Sequence, residues 1–123
     1  MSMIKTISEK NITQDIISHE GIIAVIIYSK YSGAYYLMKS RYIKIYKRYN
    51  KEFSFYKLEF EKAQNINTKY KINISPSILI FNNGKLKNKI EGLFSEYELE
   101  KQFILSIKDL DENIGGNYGK SSE

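Results

Sequence analysis

Seven residues in a row, Ile22 to Tyr28 (IIAVIIY), carry almost only apolar and β-branched side chains. Such a run fits a strand buried on both faces, as in the middle of a parallel sheet covered by helices. A loop-like patch, Ser29 to Ala34, follows it. From Ala34 to about Asn50 the apolar positions Leu37, Met38, Tyr42, Ile45 and Tyr49 recur at three- and four-residue intervals. That spacing predicts a helix with one apolar stripe, and Lys39, Arg41, Lys44, Lys47 and Arg48 fill its other faces. In open α/β sheets, sites gather where a central strand hands over to its helix. Function should therefore be sought between Ser29 and Ala34.

Upstream, Met3 to Ile7 alternates weakly and predicts a short edge strand. Ser8 is placed to cap a short helix bearing Ile12, Ile16 and Ile17, which His19-Glu20-Gly21 ends, Gly21 taking the left-handed position. Downstream, Phe53 to Phe60 reads as a strand and Gln64 to Tyr70 as a short helix. Ser77 to Phe81 and Leu86 to Ile90 read as hairpin strands joined by Asn82-Asn83-Gly84-Lys85, since Asn-Gly tolerates positive φ. Gly92 breaks the second of them. Ser95, with Glu98 three residues on, forms a capping box for a last helix lined by Leu99, Phe103 and Ile107. Asp111 to Glu123 is rich in Gly, Ser and charge and reads as a flexible tail, leaving residues 1–110 as one domain. The order is βαβαβαββα. It predicts an α/β fold, a mixed sheet of about five strands flanked by about four helices.

Composition narrows the chemistry. The 123 residues suit a single domain, with 42% hydrophobic and 27% charged residues. No leader-like segment opens the chain and no apolar run is long enough to span a bilayer, so a cytoplasmic protein is the expectation. There is no cysteine, which removes thiol, disulfide and Cys-metal chemistry. His19 is the sole histidine, and a lone His before a turn reads as a surface residue rather than a ligand. Neither metal nor cofactor is expected.

Four features, in register over about a hundred residues, carry a resemblance. They are the apolar strand ending in Tyr28, the loop Tyr31-Ser32-Gly33-Ala34-Tyr35, the segment Ile74-Ser75-Pro76-Ser77, and Phe81-Asn82-Asn83-Gly84 followed by Gly92. From about Met3 to Lys108 the chain resembles thioredoxin. The resemblance implies the thioredoxin fold, a cis peptide before Pro76, and a backbone at Ser75 open to an extended peptide.

The departures bear on function. The family's loop reads Trp-Cys-Gly-Pro-Cys, and its two sulfurs do the chemistry. Ser32 and Tyr35 stand at the cysteine positions here, and Ala34 at the proline. The family's buried Asp falls at Ile26, while its Lys partner is kept as Lys57. A hydroxyl, with a pKa far above a thiol's, cannot cycle through a disulfide. A laboratory Cys→Ser change in a disulfide reductase explains Ser32 but hardly Tyr35 or Ile26. The expectation is a redox-inactive thioredoxin-like protein, not an enzyme.

The remaining features have bland and sharp readings. Tyr28, Tyr31, Tyr35 and Tyr36 either form a recognition patch, for which tyrosine is well suited, or fill space left by the missing groups. Lys57 is expected to pair with Glu59 or to snorkel outward. The basic helix face reads as solvated charge, since no nucleic-acid motif accompanies it. Lys85, Lys87 and Lys89 guard a sheet edge.

Three functions follow. The first is a non-enzymatic module holding a protein or extended peptide through Tyr28, Tyr31, Ser32, Gly33, Ala34, Tyr35, Ser75, Pro76, Gly92 and Leu93, with exposed Leu93 and Phe94 in support. The second is a structural or homo-oligomeric subunit using the same surface. The third borrows from glutathione transferases, with Ser32 or Tyr35 stabilising a thiolate, although the chain has no room for those enzymes' additional helical domain. No nucleic acid and no membrane partner is expected.

Overall fold

The computed structural model describes residues 4–12, 14 and 21–115, with side chains through 107. The strand β2 spans Ile22–Tyr28, and the reason for its continuous apolar run lies in what covers each face. Successive side chains of a strand point to opposite faces. Ala24 and Ile26 enter one core cluster, with Tyr35, Met38, Tyr42, Ile45, Leu99 and Phe103. Ile23, Val25 and Ile27 enter the other, with Ile12, Leu58, Ile66, Leu79 and Phe81. A sheet clothed on both sides leaves no position in its central strand for a polar residue.

The strands β1 (Lys5–Ile7), β3 (Phe53–Glu59), β4 (Ser77–Asn82) and β5 (Lys85–Glu91) complete a five-stranded sheet in the order β1-β3-β2-β4-β5. β3 runs parallel to both β1 and β2, whereas β4 is antiparallel to β2 and β5 is antiparallel to β4. The expected edge strand and hairpin are thus both present. Asn83 (φ 50) and Gly84 (φ 84) take the positive-φ pair that a tight hairpin requires. β5 closes one edge of the sheet, where Lys89 donates to the carbonyls of Tyr70 and Lys71 at 3.0 and 3.1 Å.

Helices α1 (Glu9–Asn11), α2 (Gly33–Tyr49), α3 (Gln64–Lys69) and α4 (Glu96–Gly115) flank the sheet, with a 3-10 turn over Phe60–Lys62. Ser8 caps α1 through a reciprocal box with Asn11. Ser95 and Glu98 form the second box: Glu98 N–H donates to Ser95 Oγ at 3.1 Å and Ser95 N–H to Glu98 Oε1 at 3.3 Å. α4 runs on past Asp111, where the sequence suggested the start of a tail. Met3, Ile16, Ile17, His19 and residues 116–123 lie outside the described residues.

One phase reading is corrected. Leu37 is 52% exposed, and the buried stripe of α2 is Tyr35, Met38, Tyr42 and Ile45. The aromatic at 35, read as loop, is the first residue of the stripe, and the three- and four-residue steps counted from it pass Leu37 by. The basic face of α2 meets acids of α4. Lys44 pairs with Glu96 at 3.4 Å, and Arg48 bridges Glu96 and Glu100, the latter at 2.9 Å. Among the described residues no helix is long and apolar enough to cross a membrane. No cluster of metal-ligating side chains occurs among them either.

Candidate functional site

β2 delivers Tyr28 to the end of the sheet, and the next four residues turn the chain into α2. Ser29 is buried and holds the turn by donating its hydroxyl to the Glu61 carboxylate while accepting the Tyr31 N–H at 3.2 Å. Ser32 N–H closes the turn on the Ser29 carbonyl at 3.0 Å. Ser32 is then the N-cap of α2, its hydroxyl accepting the Tyr35 N–H at 3.2 Å. Serine suits this place because its oxygen satisfies one of the amides that a helix start leaves without a partner. Gly33 and Ala34 form the first turn, and a Cβ added at Gly33 would meet open space.

Two other segments converge on this corner. The Ser75–Pro76 peptide is cis, and the Ser75 carbonyl accepts the Ser32 hydroxyl at 3.3 Å. Gly92, at φ +90, donates its N–H to the Pro76 carbonyl at 2.9 Å. These two hydrogen bonds bring the β2–α2 loop, the turn before β4 and the turn after β5 together. All ten residues selected from the sequence therefore sit at one end of the sheet.

Their exposures differ. Tyr31 is 82% exposed and Leu93 52%. Ile74, quoted in the sequence only as part of a motif, is 47% exposed beside Ser75. Tyr35 is buried: its ring stacks on Tyr28 at 4.7 Å and meets Tyr36 edge-on at 5.0 Å. The four tyrosines thus divide, Tyr35 filling space and Tyr31 standing in solvent. Burial raises the Tyr35 hydroxyl above the ordinary tyrosine pKa, with Tyr28 and Tyr36 adding to the effect. Burial also raises Tyr28, and the negative Glu59 pushes it further. Both hydroxyls are protonated at neutral pH.

Phe94 corrects another expectation. It is half-buried against the core, its N–H directed at Met38 Sδ (3.4 Å) and its carbonyl accepting from Arg41 at 2.6 Å. Leu93 alone of the pair is exposed. Lys57 does not pair with Glu59 either. The 3-10 turn that begins after Glu59 brings Lys62 within 3.7 Å of it, and Lys30 approaches to 3.9 Å from the loop after β2. The Lys57 ammonium instead lies 5.9 Å from the centre of the Tyr28 ring, a cation–π contact.

The corner therefore has a capped helix start, a cis-proline turn and a glycine turn around a surface of exposed apolar groups, with no thiol in it. A model of the thioredoxin family matches residues 3–104. The chain belongs to the thioredoxin family. No curated protein matches it. Among the solved structures that match is one described as the structural basis of the thiol resolving mechanism in yeast mitochondrial 1-Cys peroxiredoxin via glutathione/thioredoxin systems. It is 19% identical with a TM-score of 0.72, over 81% of this chain and 92% of that one. That likeness is one of fold. This thioredoxin-family chain has no cysteine, so it carries out no thiol–disulfide exchange of its own.

Proposed function

We propose that this thioredoxin-family protein is a redox-silent binding module that holds an extended peptide, or a loop of a partner protein, across the corner built by Tyr31, Ser75-Pro76 and Gly92-Leu93. The observation that carries the reading is the grouping of Tyr31, Ile74 and Leu93, all large and exposed, around backbone that belongs to no strand. Among the described residues the Ser75 N–H has no protein partner, and the Ser75 carbonyl holds only the Ser32 hydroxyl. An extended chain supplies main-chain hydrogen bonds to such a segment, and its side chains cover the apolar groups on either side. Tyr31 offers a large contact area at a cost of only two side-chain torsions.

The hydroxyls at the former cysteine positions favour binding over catalysis. Ser32 is committed to capping α2 and to the Ser75 carbonyl. Tyr35 is enclosed and stacked. A hydroxyl that stabilises a thiolate has to be open to its ligand, whereas the Ser32 hydroxyl is engaged by backbone on both sides and the Tyr35 side chain is buried.

The test is to select peptides from a displayed random library on the whole protein, then map the best one by amide chemical-shift perturbation. The expected result is shifts centred on Tyr31, Ser75 and Leu93. Shifts confined to another face, or no enrichment over an unrelated protein, overturn the reading.

A further inference from the structure

Behind that corner, α2 and the parallel strands frame a partly open cavity of about 130 Å³. Ile4, Ile26 and Ile43 give it aliphatic walls, and the rings of Tyr35 and Tyr42 give it aromatic ones. The remaining lining residues are Lys39, which is exposed, and Lys57, which is half-buried. Among the described residues no acidic side chain lines the space. The Tyr42 hydroxyl is taken up by the carbonyls of Ala24 and Tyr56, at 3.1 and 3.0 Å, so Tyr42 presents its ring and not a polar group. Glu59, two residues from Lys57, is engaged by Lys30 and Lys62. Among the described residues neither Lys39 nor Lys57 has a carboxylate partner.

The cavity is thus apolar in its walls and positive at Lys39 and Lys57. A cationic group drawn partly out of water without a counter-charge is unfavourable, and an anion beside it relieves that cost. We propose that this cavity is a binding site for a small organic monocarboxylate. The ligand's apolar body lies among the three isoleucines, and its carboxylate meets Lys57 and Lys39. The volume sets the size: an apolar cavity of about 150 Å³ takes up benzene, so a body of about four to six carbons fits. The walls set the charge, because a second anionic group would be desolvated against isoleucine with nothing to pair it. Dicarboxylates are therefore poor occupants, and inorganic phosphate has no apolar body to fill the space between the isoleucines. This inference does not rest on the peptide-binding reading, since its residues lie beneath the exposed patch and only Tyr35 is shared.

The experiment titrates the full chain with sodium butyrate, butylammonium chloride and butanol at equal ionic strength. It follows the methyl resonances of Ile26 and Ile43 and the melting temperature. Butyrate is expected to give saturable shifts at both methyls and a rise in melting temperature that grows with its concentration. Butylammonium should give neither. Lys57→Gln should weaken butyrate binding about tenfold or more, the loss of one charge-assisted contact. Ile26→Phe, which fills the cavity, should abolish it. Lys39→Gln changes an exposed side chain and repeats the charge test should Lys57→Gln fail to fold. Equal responses to butyrate and butylammonium, shifts that rise linearly without saturating, or wild-type affinity in both lysine variants would overturn the assignment.

Discussion

Ser32 and Ser75 are joined by one hydrogen bond, 3.3 Å from the Ser32 hydroxyl to the Ser75 carbonyl oxygen. Through it the residue that starts α2 also holds the turn before Pro76. Ser32→Ala removes that tie together with the cap on the Tyr35 N–H. Loss of a serine N-cap costs about 1 kcal/mol, and the tie adds a fraction of that. Urea unfolding should therefore show a loss of about 1–2 kcal/mol, and amide exchange at Tyr35 should accelerate. An unchanged midpoint would mean that the cap carries no stability.

Two serines either side of Pro76 should behave differently. Ser77 is fully buried and donates to the Ile74 carbonyl at 2.6 Å, whereas the buried Ser75 hydroxyl oxygen has no partner. Ser77→Ala leaves a carbonyl unsatisfied and should cost about 1–2 kcal/mol. Ser75→Ala removes an unpaired polar atom and should lie within about 0.5 kcal/mol of wild type. Thermal or urea melts of the two variants decide it.

Tyr42 links pH to stability at the alkaline end. Its buried hydroxyl has a pKa raised well above 10.0, chiefly by desolvation. A raised folded-state value means that the stabilisation is complete below the unfolded value of 10.0 and is lost as pH rises through the higher one. Stability should accordingly fall as pH climbs from 10.0 towards that higher value. Tyr42→Phe should lose about 1–2 kcal/mol at neutral pH, with its bonds to Ala24 and Tyr56, and should flatten the alkaline fall. Melting curves taken at several alkaline pH values separate the two effects.

Glu96 works in the opposite sense. Its hydrogen bond with Arg48, aided by Lys44, lowers its carboxyl pKa from 4.5. A depressed folded-state value contributes stability above 4.5 that is lost as pH falls through the lower one. Glu96→Gln should reduce the acid-induced drop in melting temperature. The effect should shrink in high salt, because the pair is exposed and screened.

The sequence was informative wherever the signal is local. The run Ile22–Tyr28, the Asn83-Gly84 turn, the Ser8 cap and the Ser95–Glu98 capping box are each decided by neighbours in the chain, and each stands where expected. Leu37 was misplaced because helix phase depends on which aromatic is drawn into the core, and Tyr35 packs on Tyr28 from another element. The Lys57–Glu59 pair failed for a related reason: the turn after Glu59 brings up Lys62, which periodicity along β3 does not register. The cavity at Lys57 had no sequence signal. It is a gap between elements, and gaps are set by packing rather than by pattern. The ten corner residues were found through their register with a known fold, yet the exposure of Ile74 and the burial of Tyr35 emerged only with the surrounding contacts.

The most direct measurement of the binding reading is the affinity of a selected peptide for wild type and for the Tyr31→Ala/Leu93→Ala variant. Both side chains are exposed, so their loss should leave the melting temperature nearly unchanged. Removing two central apolar contacts should weaken the peptide at least about tenfold. Equal affinity for the two proteins, each shown to be folded, would contradict the claim that this corner is the binding surface.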